Sequence, residues 1–100
     1  KFRSKGFTQI EAIVENADES LYLPCRYQLK NVQILEGEQV ENINEVTSYE
    51  GLFCHFAEKG ERIRVSGKLE EVIPKRGRQY HRILIGSPEA QAKDFIHIIT

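Results

Sequence analysis

The sequence predicts a mainly β fold: a small antiparallel β-barrel or sandwich, with an OB-like barrel among the alternatives, and one or two short helices. Residues 62–70 place an apolar residue or glycine at every second position and a polar residue between, as a strand with one buried face requires. About six extended stretches with short connections follow one another along the chain. Many short strands linked by turns are typical of small barrels and sandwiches.

The first half of the chain predicts two strands and a short extended segment between them. Residues 7–14 alternate imperfectly and end in a polar run at 15–20, which suits a loop. Residues 21–23 are expected to be extended, because a residue that precedes proline is pushed out of the helical region. Residues 26–35 form the second predicted strand, and 36–38 form the turn that closes it.

The second half of the chain contains the clearest hairpin. Residues 39–45 are polar and are expected to connect, and 46–56 pass from strand-like to helical spacing, which predicts a strand running into one helical turn. The strand at 62–73 and the strand at 79–85 should pair in antiparallel fashion. The basic loop at 74–78 joins them.

The last part of the chain predicts a short helix followed by a strand. Ser87 is a candidate N-cap and Pro88 suits the first helical position, so one or two helical turns fit 87–93. Residues 95–99 are rich in β-branched side chains and close the chain as a strand.

Length and charge restrict the functional classes. One hundred residues make a single β-rich domain over 1–100, and because the chain begins at Lys1 and contains no methionine, we interpret it as the excised C-terminal domain of a longer protein. A net charge of −1 gives no general attraction to nucleic acid or to an anionic membrane, so phosphate binding would have to be local. The chain has no apolar run near the roughly 20 residues that span a bilayer, and we expect no membrane contact and a cytoplasmic location.

Catalytic and metal-binding patterns are missing. Cys25 and Cys54 are far apart and form no C-x2-C pair, so we expect them to be buried structural residues, although Cys54-His55 could be combined on paper with other ligands. The glycines are scattered at turns and form no phosphate-binding loop. We therefore predict no catalytic residue, no metal ligand and no cofactor in this domain.

Basic residues concentrate on the predicted hairpin, with aromatic side chains between them. Such a hairpin can follow a phosphate backbone while a ring stacks on a base. The alternative is an exposed turn kept soluble by its charges. The candidate phosphate or ligand contacts on this hairpin are Lys68, Lys75, Arg76, Arg78, Tyr80 and Arg82.

Four segments carry a family resemblance: ENADE at 15–19, LYLPCRY at 21–27, YEGLFC at 49–54 and GERIRVSGKLE at 60–70. With them, the chain resembles over most of its length the C-terminal part of the archaeal predicted nucleotidyltransferases. That family is similar in its N-terminal part to polymerase-β-type enzymes, in which a Gly-Ser motif and paired acidic residues bind metal and triphosphate. Gly86-Ser87 is followed here by Pro88 and by no acidic pair, so the catalytic motif does not carry over.

The resemblance implies a non-catalytic accessory domain whose partners are the catalytic domain of the same chain and RNA or nucleotide. It adds two polar positions to the candidate contacts, Arg26 and Glu50, which could instead form a structural ion pair with each other. The alternative function is a structural or protein-interaction barrel that packs on a catalytic domain through the aromatic segment 49–56 and binds no ligand of its own.

Overall fold

The computed structural model describes residues 1–18, 23–49, 54, 56–86 and 95–99, which form six strands in one sheet. The described residues form no helix, and no helix that could cross a membrane occurs among them. The strands are β1 (Phe2–Asn16), β2 (Cys25–Glu36), β3 (Ile43–Ser48), β4 (Arg62–Val72), β5 (Tyr80–Ile85) and β6 (Phe95–Ile99).

Followed from neighbour to neighbour, the strand pairings lead from β1 through four other strands and back to β1. The order is β1-β2-β3-β5-β4-β6, and β1 also pairs with β4. All neighbours are antiparallel except β3 and β5, which are parallel. The prediction of a wholly antiparallel sheet was therefore wrong. The sheet is mixed because β3 and β5 are joined by a long connection through β4 rather than by a tight hairpin turn.

Alternation along the strands builds the core. In β1 the side chains of Ile10, Ala12 and Val14 are buried, and those between them are only partly covered. On β4, Ile63 and Val65 occupy the corresponding buried positions opposite β1. Because side chains of a strand point alternately to its two faces, the same pattern leaves the polar residues of each strand on the outer face.

Gly67 divides β4 into two halves that use different partners. Residues 62–66 pair with β6 and residues 68–72 pair with β5 along the same edge. A Cβ atom at position 67 would lie 2.7 Å from Ile85 Cγ2 and 2.8 Å from the backbone oxygen of Leu84. The close approach of β5 at the point where β4 changes partner therefore requires glycine.

Most strand predictions are confirmed, including the antiparallel hairpin of 62–73 with 79–85. The third strand begins earlier than predicted, in a stretch that was expected to connect. The polar residue Glu45 of this strand is buried, and Thr47 Oγ1 donates a hydrogen bond of 2.6 Å to the Glu45 carboxylate, which makes the burial tolerable. The predicted helix at 87–93 and most of the predicted helical turn before Phe56 lie outside the described residues.

The two cysteines are joined to each other. Cys25, the first residue of β2, forms a disulfide with Cys54, and their Cα atoms are 5.7 Å apart. The sequence predicts buried structural cysteines but not this disulfide, because distance in sequence gives no information on which cysteines the folded sheet brings together. The bond ties the start of β2 to the connection between β3 and β4.

We predict that Gly67→Ala lowers the free energy of unfolding by about 1–3 kcal/mol, because the added methyl group meets backbone as well as side chain of β5. The matched control is Ser66→Ala. Ser66 is buried and its hydroxyl has no hydrogen-bond partner among the described residues, so its removal should cost nothing or stabilise slightly. Urea unfolding of both variants checks this, and equal stability of Gly67→Ala and the unmodified chain would contradict the tight packing.

Candidate functional site

The outer face of β2 carries exposed basic and amide side chains. The buried residues Cys25, Tyr27 and Leu29 face the core, which places Arg26, Gln28 and Lys30 on the opposite face. Neither Arg26 nor Lys30 forms an ion pair with another described residue.

A groove of about 320 Å³ lies beside this face, at the end where β1 leads into β2. Among the described residues it is lined by Asn16, Asp18, Arg26 and Gln28. Asn16 is the strand neighbour of Gln28, so pairing of β1 with β2 fixes two of these residues. Asn16 Oδ1 accepts a hydrogen bond of 2.7 Å from the backbone N–H of Asp18, which positions the third.

The loop between β4 and β5 is strongly basic and leads into β5 beside the connection from β2 to β3. Its cations Lys75, Arg76 and Arg78 are exposed, and none of them forms an ion pair with a described residue. Gly77 adopts a φ of 93°, a backbone conformation that glycine accepts without steric cost. The tight turn thus presents the three cations outward without neutralising them.

Tyr80 links this loop to β2. It is the first residue of β5, and its side chain is partly buried. Burial raises the pKa of Tyr80 above its ordinary value of 10.0, and the carboxylate of Glu45 raises it further. The positive charges of Arg82 and Arg26 act on the phenol in the opposite direction. The ring is therefore neutral at physiological pH and lies within electrostatic reach of Arg26.

Strand register produces a row of alternating charge across the outer face. Glu45 of β3 is the partner of Arg82, and Arg82 is in turn the partner of Glu70 on β4. The Nε atom of Arg82 donates a hydrogen bond of 2.8 Å to Glu70 Oε1, and both side chains are buried. The guanidinium also lies 4.1 Å from the centre of the Phe2 ring.

Two of the predicted contact residues therefore belong to an internal network. Arg82 binds one carboxylate oxygen of Glu70, and Lys68 Nζ lies 3.7 Å from the other. Arg82 is buried and already holds a carboxylate, so it has little capacity for a ligand. Lys68 is about one-third exposed, but its ammonium group faces the same carboxylate. We exclude Lys68 and Arg82 from the candidate surface for this reason.

The arginines on the outer face of β1 and β4 share one carboxylate. Arg64 donates to Glu11 Oε2 through Nη2 at 2.6 Å and through Nε at 3.1 Å. Arg62 lies 3.9 Å from the other oxygen of the same carboxylate. Glu11 thus offsets one of the two positive charges and orients both arginines, whereas no cation of β2 contacts a described carboxylate.

Of the predicted set, Arg26 and Tyr80 lie within electrostatic reach of each other. The cations of the 75–78 loop precede Tyr80 in the chain, and Glu50 lies outside the described residues. Sequence reasoning missed Lys30, Gln28 and the groove residues. The alternation of β2 would have found Lys30 and Gln28, because it places them on the same face as Arg26. The candidate surface comprises Arg26, Gln28, Lys30, Lys75, Arg76, Arg78 and Tyr80.

No group of metal-binding side chains occurs among the described residues. What the candidate surface offers is donors, positive charge and one aromatic ring. These groups can bind phosphate and stack on a base.

Comparison with known proteins gives one informative similarity. The chain is 34% identical over 98 residues to an uncharacterised protein of Methanocaldococcus jannaschii, MJ1086. The match covers 98% of this chain but 27% of the relative, so the chain spans about a quarter of the length of that protein. No family model matches the chain, and no solved structure matches it.

We predict that Arg82→Gln lowers the free energy of unfolding by about 2–3 kcal/mol, because it leaves the buried carboxylate of Glu70 with only the more distant Lys68. Arg76→Gln makes the same chemical change on an exposed loop and should alter stability by less than about 0.5 kcal/mol. Urea unfolding followed by circular dichroism measures both. A small effect of Arg82→Gln would contradict its role in the network.

Proposed function

We propose that the closed run of pairings β1-β2-β3-β5-β4-β1 is a small barrel of the OB type, with β6 added beside β4. The order of strands, the parallel pairing of β3 with β5 and the double pairing of β1 support this. OB-folds are five-stranded Greek-key barrels that bind oligonucleotides on the face of their second and third strands. The loops after the first and fourth strands flank that face.

We propose further that the domain binds single-stranded RNA on the candidate surface. The proposal rests on one observation: some cations contact a described carboxylate, and others do not. Arginines on the outer face of β4 and β5 are paired with Glu11 or Glu70. The cations on β2 and on the 75–78 loop, which are the positions that flank an OB-type cleft, have no carboxylate partner among the described residues.

Local charge must provide the attraction, because the chain has a net charge of −1. Cations from both sides of the face can follow successive phosphates of one strand. Tyr80 adds a neutral ring between the loop and β2, and stacking of a base on such a ring contributes about 1–3 kcal/mol per base. This combination suits a flexible single strand better than a rigid duplex.

In this proposal the domain is a non-catalytic accessory part of a cytoplasmic nucleotidyltransferase and holds its RNA substrate near the catalytic domain. The resemblance of the four sequence segments supports the link to that enzyme class. The greater length of MJ1086 is consistent with a larger parent protein in which this domain would be one part.

We predict that a fluorescently labelled U-rich RNA of 12 nucleotides binds this chain at low salt. The logarithm of affinity should fall with the logarithm of salt concentration with a slope of about 2 if three phosphates are contacted. Arg76→Glu/Arg78→Glu should weaken binding at least tenfold and lower the slope by about 1. Fluorescence anisotropy measures both quantities.

The matched control for this experiment is Lys59→Glu/Arg62→Glu. It makes the same change of net charge at the opposite end of β4, outside the candidate surface. Binding should remain within about twofold of the unmodified chain. If both double variants lose the same amount of RNA affinity, the change of net charge alone explains the effect. Absence of RNA binding at low salt would refute the proposed function.

A second candidate function is docking on a catalytic domain without a ligand. It is favoured by three large apolar side chains at one end of the β2–β3 pair: Leu23, Tyr49 and Phe56 are 58%, 48% and 37% exposed. The pairing of Cys25 with Ser48 and the hydrogen bond from Phe56 N–H to the Tyr27 hydroxyl place them at that end. Under this function, Leu23→Ser/Tyr49→Ser should reduce binding of a hydrophobic dye without affecting stability, and unchanged dye fluorescence would count against it.

A further inference from the structure

The groove beside β2 contains hydrogen-bonding groups that the fold does not use. The hydrogen bond from the Asp18 backbone N–H to Asn16 Oδ1 leaves the carboxylate of Asp18 without a partner among the described residues. The guanidinium of Arg26 and the amide of Gln28 are likewise unbonded there. Asp18 and Arg26 line the same groove and yet form no ion pair with each other.

Strand geometry fixes most of this groove. Arg26 and Gln28 stand two residues apart on the outer face of β2, about 6.6 Å along the strand. Asn16 faces Gln28 across the β1–β2 pairing. Acceptor oxygens of Asp18 and donor N–H groups of Arg26 thus line one cavity of about 320 Å³, at the small end of the range for small-molecule sites.

We propose, resting on the proposed RNA-binding function, that this groove binds a guanine base of the strand. Guanine presents two adjacent donors, N1–H and the N2 amino group, followed around the ring by two acceptors, O6 and N7. The Asp18 carboxylate accepts from the two donors. Arg26 donates to the two acceptors, which is the commonest specific contact of arginine with a base.

The other bases fit this pair of groups less well. Adenine directs its acceptor N1 toward the carboxylate, which repels it. Uracil and cytosine offer one donor each on the edge that would face Asp18. A neutral purine pocket built from Asn and Gln alone would instead favour adenine. A carboxylate and a guanidinium that line one groove and have no ion-pair partner among the described residues therefore point to guanine.

The test compares five-nucleotide RNAs that differ at the central position: UUGUU, UUAUU, UUUUU and the inosine analogue, which lacks the N2 amino group. Anisotropy at fixed low salt should give UUGUU about tenfold tighter binding than UUAUU and UUUUU. Inosine should fall between guanine and the other bases. Asp18→Asn should remove the preference for guanine while leaving the affinity for UUUUU unchanged or slightly higher.

The control variant is Glu15→Gln, which removes an exposed carboxylate at the end of β1 that does not line the groove. It should keep the full preference for guanine. Equal, salt-dependent affinity for all four RNAs would overturn the guanine site and leave the RNA-binding function intact. A preference that survives Asp18→Asn would overturn the assignment to this groove. Absence of binding to every RNA would overturn the RNA-binding function itself, and the guanine site with it.

Discussion

The pairing of β1 with two neighbours at once is the constraint on which the rest of the structure depends. Its residues 9–16 pair with β2, and its residues 2–13 pair with β4 on the other edge. Because the pairings then return to β1, each strand of the ring has one face toward the core and one face outward. The buried set of Ile10, Ala12 and Val14 follows from this, and so does the display of polar side chains on the outside.

Two local conditions permit that closure. Gly67 lets β5 approach β4 where β4 passes from one partner to the other, and no side chain fits at this point. The hydrogen bond from Arg82 pairs the buried charge of Glu70, and the hydrogen bond from Thr47 satisfies one carboxylate oxygen of the buried Glu45. A buried charge without such a partner would be strongly destabilising. The cations in this region therefore stabilise the fold by pairing with these carboxylates.

The functional proposal depends on which cations lack a carboxylate partner among the described residues. Arg62 and Arg64 share Glu11, and Lys68 and Arg82 share Glu70, so all four cations contact a carboxylate and each carboxylate offsets one positive charge. The cations of β2 and of the 75–78 loop have no such partner among the described residues. A nearly neutral chain thus presents local positive charge on one face. Local charge of this kind can attract a polyanion although the whole molecule does not.

Much of this fold could be predicted from local pattern, and the rest depends on contacts between distant residues. Alternation locates β4 and β5, and the basic 74–78 loop follows from its composition. The parallel pairing of β3 with β5 and the bond between Cys25 and Cys54 are non-local, and periodicity contains no information on either. The same limit applies to the candidate surface. The sequence gives no reason to treat Arg82 differently from Arg78. Only the strand register, which places Arg82 opposite Glu70, shows that Arg82 is paired.

The central claim is that the outer face of β2 and the 75–80 segment together bind single-stranded RNA. The most direct measurement is an NMR titration of this chain with a U-rich RNA at low salt, followed through assigned backbone amide signals. The account predicts shifts clustered on residues 26–30 and 75–80 that fade as salt is raised, with the signals of Arg62 and Arg64 unmoved. Shifts centred on the β1–β4 face, or no shifts at all, would contradict it.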